Sequence, residues 1–397
     1  MDTIFHRRGF LASVVTIAAG YPAYASTPLC TLRDSLASYL RASQQSDGRW
    51  VSPNYGVLRS GQAMTPFVLE ALLTHESQSQ SVSASTSTLA IAPSSTSNRA
   101  LDWIAANLRG GCLGMSDPDV MEYPVYATSL ALKCFIQAGR IDSQPAKAMR
   151  AYLIGQQFNQ SRGFERSHLA YGGWGFGGVH IDGQTGHMDI VHTRLALEAI
   201  AVSGPPDTRC FEHAKHFLRL MQKHPNEDRH QPTSDAGDEK PNQDSPPFDG
   251  GFYFSPVVLG ANKGRVVQSK SANYFRSYAT ATCDGVLALL AAGVSRQDPR
   301  VVAAENWLTS KKDWSYPEGI PRDYPEPWGE AVYFYHQAVR AAAYRHLNID
   351  GPWREDLCER IQAQVRLDGS IVNQRSSLMK EDDPVMCTAL ALHALNQ

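Results

Sequence analysis

The sequence has no segment that approaches about 18 consecutive apolar residues, the length that a transmembrane helix requires. It also has almost no excess of one charge, because 37 Lys and Arg residues face 39 Asp and Glu residues, and the formal net charge is −2 at pH 7. A balanced, scattered charge does not attract a polyanion. We therefore expect no transmembrane helix and no nucleic-acid partner.

Several site signatures are also absent. No two cysteines have the CxxC spacing of a zinc ribbon or a redox centre, and the odd number of seven leaves at least one thiol unpaired in a monomer. The chain has no phosphate-binding loop ending in Lys-Ser/Thr, no dinucleotide fingerprint and no Ser-His-Asp signature. These absences argue against a nucleotide-dependent enzyme and against a serine hydrolase of the usual kind.

The sequence does contain one helical pattern six times. The pattern is Thr-x-x-Ala-Leu-x-x-Leu, whose apolar residues at i, i+3, i+4 and i+7 share one face of an α-helix. The five close copies begin at Thr65, Thr128, Thr193, Thr282 and Thr388, and a degenerate copy begins at Tyr335. Recurrence at such intervals indicates a repeat architecture.

A second helix and a glycine turn precede each copy, as in Asp47-Gly48-Arg49-Trp50 of the first unit. Glycine permits the positive φ that ends a helix, and the aromatic residue after it can pack back on that helix. Each helix pair buries its apolar face only against neighbouring pairs. We therefore predict an all-α protein, an α6/α6 toroid of six helical hairpins in a closed ring, as a single domain over residues 26–397.

Three other segments do not fit the repeat. Residues 77–97 and 225–247 are polar, and their composition predicts flexible surface insertions. In residues 1–25, Arg7-Arg8 precede a short apolar run and an Ala-x-Ala cleavage site, which is typical of a twin-arginine signal peptide. An ordinary Sec signal is the alternative. Either signal predicts an exported bacterial protein, periplasmic or secreted.

The segment 45–50, Gln-Ser-Asp-Gly-Arg-Trp, resembles the QxxGxW motif of squalene and terpene cyclases. The glycine–aromatic turn before each Thr-x-x-Ala-Leu helix is similar to the repeat of protein prenyltransferase β subunits. Residues 249–300 resemble exported bacterial proteins with prenyltransferase or squalene-oxidase repeats, and the resemblance extends over about residues 33–396. It implies a toroidal fold and an enzyme of isomerase (cyclase) or transferase type, whose central cavity takes an isoprenoid or other apolar small molecule.

The acid motif of these cyclases is only partly present. Their DxDDT motif ends on the repeat threonine and matches residues 189–193, which are Asp-Ile-Val-His-Thr. Asp189 and Thr193 match, but His192 replaces the last aspartate and Val191 stands where the family has its proton donor. Because valine cannot protonate an alkene, the standard squalene-cyclase acid is absent. An aspartate cluster of the DDxxD type, which ionises diphosphates, is absent too.

The third unit supplies the first candidate site residues. In a toroid, the N-terminal ends of the inner helices and the turns before them surround the central cavity, and helix N-termini favour anions. Asp189 and His192 are catalytic candidates, although Asp189 is alternatively a helix N-cap. Trp174 and Phe176 are ligand-binding candidates, although aromatic residues in such turns also pack against their own helices.

The fourth and fifth units supply the others. Tyr278 and His336 are further catalytic candidates. Arg276, Asp284 and Tyr335 are ligand-binding candidates, because Arg and Tyr side chains at a cavity can hold an anionic or carbohydrate-like group. The alternatives are that Arg276 pairs with a neighbouring carboxylate and that Tyr278 only packs.

We predict no cofactor, with zinc as the alternative. His336 resembles the Tyr-His element of the prenyltransferase zinc site, but the Asp-x-Cys partner is missing. His187, Asp189 and His192 lie within about one helical turn and could form a local site. The acidic run 381–383 precedes the last inner helix and is predicted to cap a helix.

Two other functions are open. A non-catalytic binding or scaffold protein of the cell envelope would have its cavity plugged by side chains. A polysaccharide-active toroid would place two carboxylates across the cavity, about 5–10 Å apart. Asp182, Asp189 and Asp284 are the candidates for that pair.

Overall fold

The computed structural model describes residues 26–83, 93–115, 119, 122–178, 184–205, 207–229, 248–264 and 275–397. The predicted signal peptide, residues 1–25, lies outside the described residues, as do Asp182 and residues 230–247 of the second predicted insertion.

Twelve α-helices of the described chain form six pairs, each an outer helix followed by an inner helix. The pairs are α1 (Ser26–Ala42) and α2 (Met64–Ser83), α3 (Ser95–Asn107) and α4 (Pro124–Gln137), α5 (Gln144–Gly155) and α6 (Ile190–Val202), α7 (Thr208–Met221) and α8 (Ala279–Ala291), α9 (Pro299–Ser310) and α11 (Tyr333–Leu347), and α12 (Trp353–Gln362) and α13 (Pro384–Leu395). A single-turn helix, α10 (Trp328–Ala331), precedes α11. A short antiparallel strand pair, β1 (Trp174–Gly175) and β2 (Met188–Asp189), precedes α6 and pairs Trp174 with Asp189.

The inner helices contact one another in chain order and the contacts return to their start. α2 contacts α4, then α4 contacts α6, α6 contacts α8, α8 contacts α11, α11 contacts α13, and α13 contacts α2. The outer helices pack against this ring from outside; α5, for example, contacts both α4 and α6. The predicted all-α class and toroidal arrangement are therefore confirmed. No helix of the described residues is long and apolar enough to cross a membrane.

The repeat threonine holds each glycine turn against its inner helix. The hydroxyl oxygens of the five threonines accept backbone N–H groups from the residue after the turn glycine or close to it. The donors are Trp50 to Thr65 (3.0 Å), Leu113 to Thr128 (2.9 Å), Trp174 to Thr193 (3.1 Å), Phe252 to Thr282 (3.1 Å) and Ile371 to Thr388 (2.9 Å). All five threonine residues are buried, so each bond satisfies a backbone donor that water cannot reach.

A glutamine at the end of an outer helix holds the same turn from the other side. In the third unit, Gln157 Nε2 donates to the carbonyl oxygens of Gly172 (3.0 Å) and of Cys210 in the next outer helix, α7 (2.9 Å). Gly172 has a φ of +92°, and a Cβ there would lie 1.9 Å from the carbonyl oxygen of His213. Only glycine fits at this position, which explains the glycine that recurs in the repeat.

The ends of the chain close the ring. Asn396 Nδ2 donates to the Ala71 carbonyl oxygen of α2 (3.0 Å), and Gln78 Nε2 donates back to the Asn396 carbonyl oxygen (2.6 Å). In the turns that precede α2 and α13, Ser52 Oγ donates to Asp383 Oδ2 (2.5 Å). Asp383 also accepts the first backbone N–H groups of α13. The predicted capping role of the run 381–383 is confirmed for Asp383.

The first predicted insertion is shorter than residues 77–97. Helix α2 continues to Ser83, and α3 begins at Ser95 after Ser94, which accepts the Ser97 N–H as N-cap. Polar residues that suggested a loop are satisfied within the helices: Ser79 Oγ donates to the His75 carbonyl oxygen (3.0 Å), and Gln78 bonds α13. Composition misled here because a polar stretch can still be helical.

Candidate functional site

Charged side chains from neighbouring inner helices meet inside the ring. Lys133 Nζ of α4 lies 2.5 Å from Glu70 Oε1 of α2 and 3.0 Å from Glu198 Oε2 of α6. Arg194, also on α6, contacts Glu198 Oε1 (3.0 Å) and Asp284 Oδ1 of α8 (2.8 Å). We call Glu70, Lys133, Glu198, Arg194 and Asp284 the lumen ladder, because these five residues join four consecutive inner helices across the inside of the toroid.

Most of the lumen ladder borders accessible space and does not fill it. The side chains of Lys133 and Glu198 remain 20% and 19% exposed, and those of Arg194 and Glu70 13% and 11%. Burial alone would lower the pKa of Lys133, but Glu198 and Glu70 raise it overall. Burial would likewise raise the pKa of Glu198, and Arg194 and Lys133 lower it to about 2. These groups are therefore ionised at neutral pH, inside the protein.

Asp284 differs from the rest of the ladder. Its side chain is only 1% exposed, and burial raises its pKa to about 7 although Arg194 acts in the opposite direction. The Tyr335 hydroxyl donates to the carboxylate, with 2.9 Å to each oxygen. Asp284 lies two positions after the repeat threonine, where the other close copies have the apolar residues Phe67, Leu130, Leu195 and Leu390.

Tyr335 is the second departure from the repeat. It stands where the five close copies have threonine, and its hydroxyl reaches Asp284, whereas the threonine hydroxyls accept from a turn N–H. Its backbone is held by Glu381, whose carboxylate accepts the N–H groups of Phe334 and Tyr335 at 2.9 Å each. The two exceptional positions of the repeat, 284 and 335, thus form one hydrogen-bonded pair inside the ring.

Asp189 forms a second centre, at the N-terminus of α6. It caps this helix by accepting the His192 N–H (2.9 Å), as the N-cap alternative predicted. Its carboxylate also contacts His192 Nδ1 (2.8 Å) and His187 Nδ1 (3.1 Å). Burial alone would raise the pKa of Asp189, but these imidazoles and the N–H hold it well below its usual range. His192 Nε2 is buried and has no hydrogen-bond partner among the described residues.

Partly exposed side chains line the mouth, which we define as the N-terminal end of the inner helices with the turns before them. Phe176 and His187 stack with ring centroids 4.2 Å apart, and His187 lies 6.1 Å from the Phe254 ring. Lys263 Nζ lies 5.0 Å from the Phe254 ring centroid and 5.1 Å from that of Trp328. We call these five residues the mouth collar.

The collar and the two carboxyl centres influence one another. Burial lowers the pKa of Lys263, and Asp189 and Asp284 act in the opposite direction. Burial raises the pKa of Tyr278 well above its usual value, and both carboxylates add to this shift. Six of the predicted site residues therefore lie in one region, namely Asp189, His192, Phe176, Tyr278, Asp284 and Tyr335.

The other three predicted residues lie elsewhere. Trp174 is fully buried in its turn and donates its indole N–H to the Leu153 carbonyl oxygen (2.7 Å), so it packs against the outer helix α5. His336 is fully buried, with Nε2 3.3 Å from the Asp313 carbonyl oxygen, and burial together with Arg340 lowers its pKa to about 3. Arg276 is exposed.

The described residues include no cluster of three or more His, Cys, Asp or Glu side chains arranged to hold a metal ion. His336 is also buried apart from His187 and His192, against the turn after α9.

Sequence reasoning missed the lumen ladder except for Asp284. A signal was present, because Glu70, Lys133 and Glu198 each lie five positions after a repeat threonine, on helices otherwise rich in Ala and Leu. Five positions along a helix is about 500° of rotation, which places these side chains roughly 140° from the threonine. A charge recurring at one angle on successive apolar helices indicates a shared polar interior.

Comparison with known proteins gives the fold. The sequence matches no known family and no curated protein. The apo type II terpene cyclase MstE from Scytonema is 14% identical, with a TM-score of 0.53 over 93% of this chain and 97% of that chain. A protein from Actinoplanes is 15% identical, with a TM-score of 0.51 over 92% of this chain and 98% of that chain. An α-1,6-mannanase from Salegentibacter has a TM-score of 0.48, at 11% identity, over 93% of this chain and 100% of that chain.

At these identities the likeness to the MstE and Actinoplanes structures establishes an α/α toroid fold. MstE has also been crystallised with geranylgeranyl dihydroxybenzoate; that complex is 14% identical to this chain, with a TM-score of 0.51 over 93% of this chain and 96% of that chain.

Proposed function

We propose that the protein is an exported toroidal enzyme whose lumen binds a polar ligand of carbohydrate type, with Asp284 and Tyr335 as its proton-transfer pair. The observation that carries this proposal is the lumen ladder, whose charged side chains border accessible space. Carboxylates there accept hydrogen bonds and Lys and Arg donate them, and a hydroxyl group can do both. The paired arginines at positions 7 and 8 support export.

The two carboxyl centres support acid–base chemistry. Asp284, with its pKa raised to about 7 by burial, can release and accept a proton near neutral pH. Asp189, with its pKa held well below the usual range against the effect of burial, remains ionised. Neighbouring carboxyls whose pKa values are pushed apart commonly divide the roles of acid and ionised partner.

The same pKa argues against isoprenoid cyclisation. Protonation of an alkene needs a strong acid, and burial makes Asp284 a weaker acid than an ordinary aspartate because it raises its pKa. Such a group suits proton transfer to or from oxygen or nitrogen. The proposal therefore favours the polysaccharide-active alternative over the cyclase suggested by sequence resemblance.

An isoprenoid or other apolar ligand is the second candidate. It is favoured by the partly exposed aromatic side chains of the mouth collar, those of Phe176, Phe254 and Trp328. Such a ligand would lie at the mouth, because pushing an apolar chain against the lumen ladder removes water from charged groups at a cost of several kcal/mol per ion. A sugar ring could use the same faces with its C–H side while its hydroxyls bond deeper groups.

The test compares the two ligand classes directly. Binding of neutral oligosaccharides and of farnesol or geranylgeraniol is measured by calorimetry, with native mass spectrometry of the purified protein to detect any retained ligand. We expect an oligosaccharide to bind and Glu198→Gln to weaken it about tenfold or more, since hydrogen bonds to a charged group contribute about 1.5–3 kcal/mol.

Glu212→Gln is the matched control, because Glu212 forms an exposed ion pair with Lys215 on an outer helix. It should leave oligosaccharide binding unchanged. Circular dichroism at the assay temperature checks that both variants are folded. Binding of the prenyl alcohol alone would overturn the proposal in favour of the second candidate, and binding of neither class would favour a scaffold.

A further inference from the structure

Lys263 lies in a turn that hydrogen bonds join to the mouth collar. The preceding residue, Asn262, is buried and accepts the backbone N–H groups of Phe254 (2.8 Å) and Ser255 (3.0 Å). Asn262 also donates to the Ser255 carbonyl oxygen (2.8 Å). The turn that carries Lys263 is therefore tied to Phe254, the residue whose ring the ammonium group covers.

The ammonium group of Lys263 lies beside two aromatic rings. Its Nζ lies between Phe254 and Trp328, 5.0 and 5.1 Å from their centroids. Among the described residues, no carboxylate oxygen lies within 4.0 Å of it, whereas the ammonium groups of Lys133 and Lys215 each have such a partner. Ring faces stabilise a cation but leave its N–H groups able to donate to an anion.

The nearby carboxylates are already engaged by other donors. Asp189 contacts two imidazoles, and Asp284 contacts Arg194 and Tyr335. An anion that enters the mouth therefore meets carboxylates that already accept hydrogen bonds from other side chains. Lys263 is the cation of the mouth collar that can still form an ion pair.

We propose that the mouth collar is a subsite for an acidic sugar ring, whose carboxylate pairs with Lys263 while its C–H face packs on Phe254 and Trp328. This inference rests on the proposed function, because it names the substrate class of the same lumen as an anionic oligosaccharide. The chemistry that Lys263 recognises is a carboxylate or phosphate oxygen, and a partly desolvated cation is suited to both. A uronic acid supplies that anion together with a ring.

The experiment measures binding of trigalacturonate, a neutral galactose trisaccharide and inorganic pyrophosphate by calorimetry at one fixed ionic strength. The proteins are wild type, Lys263→Met and Lys263→Arg. We expect trigalacturonate to bind wild type more tightly than the neutral sugar. Lys263→Met should weaken trigalacturonate binding about ten- to a hundredfold, as expected for a hydrogen bond to a charged group. It should leave the neutral sugar unchanged, and Lys263→Arg should retain most of the affinity.

Lys311→Met is the matched control, since Lys311 lies 5.7 Å from the Trp307 ring centroid, just after the outer helix α9. This variant should bind all three probes with the affinities of wild type. Equal affinity of wild type and Lys263→Met for trigalacturonate, or equal binding of the acidic and neutral sugars, overturns the subsite while leaving the proposed function standing. Binding of pyrophosphate alone, lost in Lys263→Met, keeps the anion site but contradicts the carbohydrate class. No binding of any probe overturns both.

Discussion

Asp284 shows how one residue can depart from a repeat and acquire chemistry. Position 284 belongs to a set that is otherwise apolar in the close copies, so its environment is built for a leucine or a phenylalanine. A carboxyl group placed there loses hydration, and burial raises its pKa to about 7 although Arg194 is adjacent. The neutral form of Asp284 is thus favoured in the folded state up to about neutral pH.

This shift predicts a pH dependence of stability. In the unfolded chain an aspartate has a pKa near 3.9, so between about pH 4 and pH 7 the folded protein holds a proton that the unfolded chain has released. The free energy of unfolding should therefore fall as the pH rises through this window, and Asp284→Asn should remove that part of the fall. Over this window, the free energy of unfolding of wild type should fall by a few kcal/mol more than that of Asp284→Asn, at about 1.4 kcal/mol per pKa unit.

Urea denaturation of both proteins at pH 4.5 and pH 7.5 measures the difference. Burial also raises the pKa of Glu381 to about 7, but Glu381 is present in both proteins and its effect cancels in the comparison. The low pKa of Asp189 acts in the opposite sense, and only below about pH 4, where this residue begins to be protonated in the unfolded chain while it stays ionised in the folded protein. Parallel pH profiles for wild type and Asp284→Asn would mean that Asp284 is ionised throughout.

At the scale of the helix pair, the repeat threonine is a structural device. Thr193 accepts the Trp174 N–H (3.1 Å) and donates to the Asp189 carbonyl oxygen (2.8 Å), which ties the turn, β2 and α6 together. Thr193→Val keeps the shape but leaves the buried N–H without a partner. We expect a loss of about 1–3 kcal/mol in the free energy of unfolding, measured in urea.

Thr309→Val is the control for this prediction. Thr309 is only partly buried, and its hydroxyl bonds carbonyl groups of its own helix, α9. Its replacement should cost less than about 0.5 kcal/mol, in the range of ordinary surface substitutions. A similar loss for both variants would show that the turn is held by its glycine and glutamine alone.

The sequence predicted these helix pairs because their determinants are local. A threonine, an Ala-Leu pair and a glycine turn recur within a few tens of residues, and each copy satisfies its own backbone groups. The lumen ladder was not predicted because its partners are distant in sequence. Arg194 and Asp284 lie on different helices, as do Lys133 and Glu70, and only closure of the ring brings them together. Lys263 was missed because the turn that carries it has no repeat pattern.

Trp174 and His336 show the opposite error. Both belong to conspicuous sequence features, but both side chains are buried and serve packing. Trp174 forms a hydrogen bond with the end of α5, and His336 contacts the turn after α9. A residue that recurs with the repeat tends to serve the repeat. The site residues that the structure brings together include the two departures from it, Asp284 and Tyr335, which contact each other directly.

At the scale of the whole molecule, the lumen depends on the contact between the first and last inner helices. Asn396 joins α13 to α2 through the Ala71 carbonyl oxygen and through Gln78, and it is 1% exposed. Asn396→Ala removes the side-chain donor that joins α13 to α2, so the free energy of unfolding should fall by about 0.5–1.5 kcal/mol. Asn306→Ala, on the exposed face of α9, is the control and should change little.

Hydrogen exchange separates ring opening from general destabilisation. If the contact between α13 and α2 keeps the ring closed, Asn396→Ala should raise amide exchange first in these two helices. Helices α6 and α8, on the far side of the ring, should retain their protection. The lumen ladder gives an independent measure, since Glu70 lies on α2 and its contact with Lys133 (2.5 Å) depends on the position of that helix. Oligosaccharide affinity should therefore fall together with protection of α2. Uniform loss of protection in all six inner helices would instead show that the toroid unfolds as one cooperative unit, with no separable seam.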